Sequence, residues 1–174
     1  MGRRDGFTLI ELLIVVAMIL ILAALAIPSL LRSRIAANEA SAVESLHAIN
    51  TAQATYAATY ANAGFAGTLA QLGPGGPTCK TPSAAAACLL DPTVANATTP
   101  GSAKSGYYFA MQAGITKAGN QVAEFTIGAA PSSFNRSGVR NFCMNEDGVI
   151  HYSVPNGQAA PQTDHATCDS WPRL

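Results

Sequence analysis

An uncharged run of twenty residues, 12–31, lies close to the N-terminus and constrains the chain more than any other feature. An α-helix rises about 1.5 Å per residue, so a run of this length spans a hydrocarbon core of about 30 Å. Arg3 and Arg4 precede it, and their charge predicts that the first residues stay in the cytoplasm while the rest is exported. Glu11 borders the run, and a carboxylate in apolar surroundings must be neutralised or paired. The sequence therefore predicts one membrane-crossing helix that carries an unexplained acid.

Length and charge limit what the remainder can be. The chain has 174 residues, which suits one globular domain of modest size plus an extension. Its ten basic and ten acidic residues cancel, and only 11% of its residues are charged. Because no basic patch is indicated, we expect no direct nucleic-acid site.

The helical pattern continues beyond the apolar run. No Gly or Pro occurs between Pro28 and Gly64, so residues 32–62 are predicted to form an amphipathic second half of the same helix. Pro28 removes one backbone hydrogen bond and is expected to bend or loosen the helix. One face is predicted to pack on a partner, at spacings of three and four: Ala42, Val43, Leu46, Ile49, Ala52, Gln53, Tyr56, Ala57 and Tyr60. The other face is predicted to be polar and to be exposed to solvent or to neighbouring subunits: Arg32, Arg34, Asn38, Glu39, Glu44 and Asn50.

Strand patterns are confined to the second half of the chain. Asp147 and Gly148 stand between the last two of them, and an Asp-Gly pair is a strong hairpin signal. The predicted class is α+β, with the long N-terminal helix packed on a four-stranded antiparallel sheet. The predicted strands are residues 106–113, 122–129, 139–144 and 148–154. The predicted apolar face of the sheet contains Phe109, Phe125, Ile127, Phe142 and Ile150.

Four cysteines, all beyond the apolar run, predict two disulfides, because an even count in an exported domain favours pairing. Three connectivities are possible, and sequence proximity favours Cys79 with Cys88 and Cys143 with Cys168. The alternative is a zinc site formed by Cys143, His151, His165 and Cys168. That set lacks the paired Cys-x-x-Cys spacing of strong zinc sites, so we expect no metal and no cofactor.

No pattern indicates catalysis. Glu146 and Asp147 are adjacent acids that the Asp-Gly turn explains, and His47 and His151 are isolated. No Gly-rich phosphate loop follows a strand, and no nucleophile elbow occurs. We therefore expect a protein that is not an enzyme.

The segment GFTLIEL at residues 6–12, after a short basic leader and before an uncharged helix with Pro28, resembles the signature of type IV prepilins and type II secretion pseudopilins. The resemblance implies cleavage between Gly6 and Phe7 by a prepilin peptidase, which also methylates the new Phe7 amine. It implies assembly through Phe7, Glu11 and Pro28. The positively charged amine of one subunit would reach Glu11 of its neighbour. The local alternative is that Glu11 meets its own amine or complements the helix N-terminus.

The resemblance also implies partners and a location. The partners are other copies of the chain in a helical polymer, the prepilin peptidase and methyltransferase, a cytoplasmic ATPase, an inner-membrane assembly platform and a secretin. The chain would sit in the bacterial inner membrane, crossing it once with a periplasmic C-terminal domain, and afterwards in a surface pilus or a periplasmic pseudopilus.

Three functions remain open. The first is a pilus subunit for adhesion, surface motility or DNA uptake; the second is a pseudopilin of type II secretion; the third is a membrane-anchored binding module that does not polymerise. A signal peptide cleaved after Ala26 would leave Glu11 unexplained. We expect the loops at residues 64–105 and 155–174 to be the exposed surface. The predicted segments are the leader 1–6, the membrane and filament-core helix 7–31, the amphipathic helix 32–62, a disulfide-containing loop 63–105, the sheet 106–154 and a disulfide-bonded tail 155–174.

Overall fold

The computed structural model of the chain describes residues 7–76, 78–79, 81–114, 116–117 and 121–174. The predicted leader, with Gly6, lies outside the described residues, and so does most of the predicted turn at residues 115–120. The chain divides into two compact units, Met1–Arg34 and Ile35–Leu174. The units are described one at a time below.

A single helix, α1, runs from Leu9 to Thr59. It contains Pro28 without a break in the helical assignment, so the expected loosening does not interrupt the helix. After its end, Gly64 adopts a positive φ of 76° and lies so close to Val122 that a Cβ atom would overlap the Val122 carbonyl. Only glycine meets both conditions, and it turns the chain out of the helix here.

The packing face predicted for the second half of α1 is buried in the second unit. Ala42, Leu46, Ile49, Ala52 and Tyr56 belong to the hydrophobic core. Val43 and Tyr60 are partly buried against it. The packing face predicted from the helical spacing is therefore confirmed.

The prediction of an exposed polar face was wrong at Glu39, which is only 6% exposed. Its Oε1 accepts hydrogen bonds from the backbone N–H groups of Val139 at 2.9 Å and Arg140 at 3.1 Å. Its Oε2 accepts from Nε of Arg140 at 2.8 Å and pairs with Nη2 at 2.8 Å. A buried carboxylate is tolerated here because four donors surround it.

The sheet confirms the predicted α+β class. In chain order the strands are β1 (Tyr107–Ala113), β2 (Thr116–Lys117), β3 (Gln121–Val122), β4 (Phe125–Pro131), β5 (Asn141–Asn145) and β6 (Ile150–Ser153). The main sheet has four antiparallel strands in the order β1-β4-β5-β6. Strands β2 and β3 form a separate two-stranded ribbon. The predicted apolar face is buried: Phe109, Phe125, Ile127, Phe142 and Ile150 all belong to the core.

Three of the predicted strands begin two or three residues later in the structure, each for a physical reason. The second predicted strand begins at Phe125 because Gln121–Val122 pairs in the ribbon instead. The third begins at Asn141 because the two preceding N–H groups donate to Glu39. The fourth begins at Ile150 because the N–H of Gly148 closes a turn onto the Asn145 carbonyl.

The second face of the sheet is covered by the C-terminal tail, which was expected to be exposed. Asn141 donates to the Ala160 carbonyl at 3.0 Å. Gly128 approaches the backbone of Gln162 so closely that a Cβ atom would overlap it. The tail then forms a short helix, α4 (His165–Asp169). The exposed-tail expectation is therefore wrong for the residues that face the sheet.

The connecting loop also contributes to the core. Two short helices, α2 (Leu69–Leu72) and α3 (Pro92–Ala95), lie in this loop. Asp91 caps α3 by accepting from the Thr93 N–H at 2.8 Å. The Gln53 side chain bonds both the N–H and the carbonyl of Ala66, at 2.8 and 3.0 Å. Four residues of the two short helices are buried: Leu69, Leu72, Val94 and Ala95.

Two disulfides join the cysteine pairs that close the shortest loops, Cys79–Cys88 and Cys143–Cys168. All four cysteines are therefore oxidised, and the alternative zinc site loses its sulfur ligands. The bridges differ in exposure, because Cys79 is exposed whereas Cys143 and Cys168 are both 0% exposed.

Replacement of Glu39 by Ala should lower the free energy of unfolding by about 2 to 3 kcal/mol, because it leaves buried donors without an acceptor. Glu44→Ala is the matched control on an exposed position of the same helix and should change it by at most about 0.5 kcal/mol. Denaturant unfolding of the full chain in detergent micelles measures both. Equal losses in the two variants would show that the Glu39 contacts add no stability.

Mild reduction should open Cys79–Cys88 before Cys143–Cys168, because a thiolate reductant must reach the sulfur atom that it attacks. Alkylation of the freed thiols followed by peptide mass mapping measures the order. Earlier labelling of Cys143 than of Cys79 would contradict the prediction.

Candidate assembly segment

The first unit carries a long apolar surface that the chain itself leaves uncovered. Every large apolar side chain between residues 7 and 31 is exposed, and Phe7 is 87% exposed. Within the described residues, α1 is the one helix long and apolar enough to cross a membrane, with a mean hydropathy of 3.1 in its most apolar window. Lipid or other apolar helices must cover such a surface.

Thr8 and Glu11 form a reciprocal cap at the start of α1. The backbone N–H of Thr8 donates to Oε2 of Glu11 at 3.0 Å, and the Glu11 N–H donates to the Thr8 hydroxyl at 3.3 Å. The hydroxyl itself donates to the same Oε2 at 2.7 Å. Thr8 precedes the first helical residue and Glu11 is the third, which is the arrangement of a capping box. The local alternative for Glu11, in which it complements the helix N-terminus, therefore exists in this chain.

One carboxylate oxygen is left over by this cap. Both bonds from Thr8 end on Oε2 of Glu11, and among the described residues none donates a hydrogen bond to Oε1. Glu11 is also the only charged residue between positions 7 and 31. Within the described residues, the segment thus presents a single oriented acid whose Oε1 accepts no hydrogen bond, on a largely apolar surface.

The other sequence-predicted residues are dispersed. Phe7 directly precedes the cap, and its nitrogen is still part of the peptide bond to Gly6 in this chain. Pro28 is exposed within the same segment and has no N–H, so the Ala24 carbonyl lacks its usual helical donor. The four cysteines all belong to the second unit.

Thr8 is the residue of this cap that was not predicted from the sequence. The signal was present as Thr-x-x-Glu immediately before an apolar run, which is the sequence pattern of a capping box. The prediction that Glu39 is exposed was wrong for a different reason. No sequence pattern near Glu39 indicates that residues 139 and 140 donate hydrogen bonds to it.

Comparisons with known proteins find two family models. The model described as "Prokaryotic N-terminal methylation motif" matches residues 1–27. The model described as "Protein of unknown function (DUF2950)" matches residues 26–167, which is most of the chain. No solved structure matches the chain.

A curated relative is similar to part of the chain. The type IV major pilin protein PilA of Myxococcus xanthus (strain DK1622) is 48% identical over 54 residues, which is 31% of this chain. The match spans about a quarter of that relative, 24% of its length. Together with the methylation motif it confirms the resemblance drawn from residues 6–12. The chain belongs to the family described as "Protein of unknown function (DUF2950)", and its N-terminal segment is that of the type IV pilin family.

Proposed function

We propose that the chain is a structural subunit that polymerises into a type IV pilus-like filament after cleavage between Gly6 and Phe7 and methylation of the new amine. The observation that supports this most is Glu11, a capped acid on an apolar helix surface, whose Oε1 accepts no hydrogen bond from the described residues. Pilins are structural proteins rather than enzymes, which agrees with the absence of a catalytic pattern in the sequence. Adhesion, surface motility and DNA uptake are the uses of such a filament.

Cleavage would change the charge balance of the segment. It would free the Phe7 nitrogen as a positively charged amine, four residues before the only acid. A charge in a membrane costs roughly 2.5 to 3.5 kcal/mol on insertion scales, and removing one partner of a buried pair costs about 3 to 5 kcal/mol. Neutralisation of the Phe7 amine by Glu11 of an adjacent subunit would therefore favour a staggered helical bundle.

The capping box supports this pairing because it fixes the acceptor. Thr8 holds Oε2 through its N–H and its hydroxyl, so the carboxylate plane is oriented before a neighbour arrives. Oε1 remains to accept a hydrogen bond from the neighbouring amine. Less side-chain freedom is then lost on assembly, which is the benefit of preorganisation.

The proposed partners follow from the same segment. A prepilin peptidase and methyltransferase would process the membrane-inserted precursor. A cytoplasmic ATPase and an inner-membrane platform would add subunits, and a secretin would pass the filament to the surface. The second unit would be periplasmic before assembly and would form the filament surface afterwards.

The mature chain should begin at Phe7 and carry a methylated amine. Intact-mass measurement of the assembled protein tests this start. Gly6→Val should leave the uncleaved precursor in the membrane, because the peptidase would meet a bulky residue at the cleavage position. A chain that starts after Ala26, or an assembled chain that keeps Met1, would contradict the proposal.

Two replacements of Glu11 distinguish its role as a negative charge from its role in the capping box. Glu11→Gln keeps an acceptor for the capping box but cannot neutralise an amine, and Glu11→Leu removes both. Both variants should insert and be cleaved normally, yet yield far less sheared surface filament than wild type. Co-expression with wild-type subunits should partly rescue both, because some variant amines would then meet a wild-type Glu11.

Thr8→Val is the matched control, since it removes the hydroxyl at a cost of about 1 kcal/mol and keeps the carboxylate. It should assemble more filament than either Glu11 variant. Wild-type yield from Glu11→Gln would show that the charge is not needed and that Glu11 acts only as a cap. A processed wild-type chain that yields no surface filament would favour a periplasmic pseudopilus or a module that does not polymerise.

A further inference from the structure

His165, the first residue of α4, lies between two carboxylates that come from different elements. Its Nε2 is 3.3 Å from Oε1 and Oε2 of Glu146, in the turn between β5 and β6. Its Nδ1 is 3.3 Å from Oδ2 of Asp169, at the end of α4. The imidazole ring thus bridges the tail helix to the β5–β6 turn.

Both ring nitrogens face acceptors, and this geometry decides which protonation state fits. A neutral imidazole donates from one nitrogen and presents a lone pair at the other. One of the two carboxylates would then face a lone pair at 3.3 Å. The imidazolium carries a proton on both nitrogens, so it suits both contacts, as a hydrogen bond to Glu146 and as an ion pair with Asp169. Glu146 Oε2 is shielded from water and accepts no hydrogen bond of good geometry among the described residues, so it gains most from a proton on Nε2.

Among the described residues, the charged groups that shift the pKa of His165 are all acidic. Glu146 and Asp169 contact the ring, Glu124 faces it from the segment before β4, and Asp164 is its neighbour and the N-cap of α4. Burial lowers the pKa of His165, but hydrogen bonding to Glu146 and the negative charges of Glu146, Asp169 and Glu124 outweigh burial and raise the pKa above its ordinary value of 6.5.

Other contacts also hold α4 to the sheet, and one of them is the bond from the Asn145 side chain to the His165 carbonyl at 3.4 Å. Asn145 donates to Oδ1 of Asp169 at 2.7 Å, and Cys168 is joined to Cys143 by the disulfide. A cleft of about 200 Å³ adjoins His165 between β1, β4 and the tail. The helix therefore has space beside it, while the disulfide prevents complete release.

We propose that His165 is a pH-sensitive latch that, as an imidazolium, ties α4 to the β5–β6 turn through Glu146 and Asp169, and that loosens α4 when it loses its proton. The latch belongs to the second unit and does not depend on the proposed filament function. It makes the surface formed by the tail depend on pH.

The direction of the pH effect follows from linkage. Because the folded chain raises the pKa of His165, the latch contributes its full stability below the ordinary value of 6.5 and loses it as pH rises through the folded-state pKa. Alkaline conditions therefore loosen the tail, and acidic conditions tighten it until the carboxylates themselves become protonated.

An NMR titration of the full chain in detergent micelles, labelled at its three histidines, tests the charge environment of the His165 ring. Loss of one NMR signal in His165→Gln assigns His165. Its midpoint should lie above 6.5 and should fall in Glu146→Gln and in Asp169→Asn, since each removes one negative partner. A midpoint at or below 6.5, or one that neither variant lowers, overturns the latch.

Hydrogen exchange of the tail tests the conformational consequence. With intrinsic rates corrected for pH, protection of residues 164–171 should fall about fivefold between pH 5.5 and 8.5, the size expected for two partly exposed ion pairs. His165→Gln should abolish this fall.

His47→Gln, on an exposed position of α1, should leave the fall in protection unchanged. A second histidine also reaches the tail, because Nδ1 of His151 donates to the Trp171 carbonyl at 2.7 Å. An equal fall in wild type and in His165→Gln would assign the pH dependence elsewhere, to His151 for example, and would overturn the proposal.

Discussion

The second unit depends on covering both faces of a four-stranded sheet. Every residue of β4 and β5 is buried, so neither face of these central strands meets solvent. The apolar face of the sheet packs against the buried face of α1, which contains large side chains such as those of Leu46 and Tyr56. The other face of the sheet has smaller and more polar residues, among them Gly128, Asn141 and Asn145. Burying such a face requires hydrogen-bonding partners, which the tail supplies.

This requirement explains how the tail is built. Its backbone carbonyls accept from Asn141 and Asn145, and the buried disulfide fixes Cys168 to β5. Its last residues pair with the edge of β6, where the Tyr152 N–H donates to the Pro172 carbonyl at 2.9 Å. That pairing occupies an edge that would otherwise present free backbone groups to other chains. A tail that was expected to be an exposed loop is thus a third layer of the fold.

Sequence patterns predicted those parts of the structure whose cause is local. The helix α1 and the packing face that holds Leu46 and Ile49 follow from periodicity, and the β5–β6 turn follows from Asp147-Gly148. Parts with distant causes were missed. The burial of Glu39 depends on donors a hundred residues later in the chain, and the covered face of the sheet depends on Gly128 admitting the tail. The cap formed by Thr8 is an exception, because its cause is the local pattern Thr-x-x-Glu and it was nevertheless not predicted.

Helix α1 therefore contains two carboxylates in apolar surroundings, and the chain satisfies them to different extents. Both oxygens of Glu39 are engaged, by the N–H groups of Val139 and Arg140 and by the Arg140 guanidinium. Among the described residues, Glu11 is bonded by Thr8 alone, which occupies one oxygen. A fully engaged acid stabilises the unit that contains it and has no further capacity for a partner. A half-engaged acid in an uncovered apolar segment retains that capacity, and under the proposed function the amine of a neighbouring subunit is the group that completes it. The same helix would then stabilise one subunit through Glu39 and join successive subunits through Glu11.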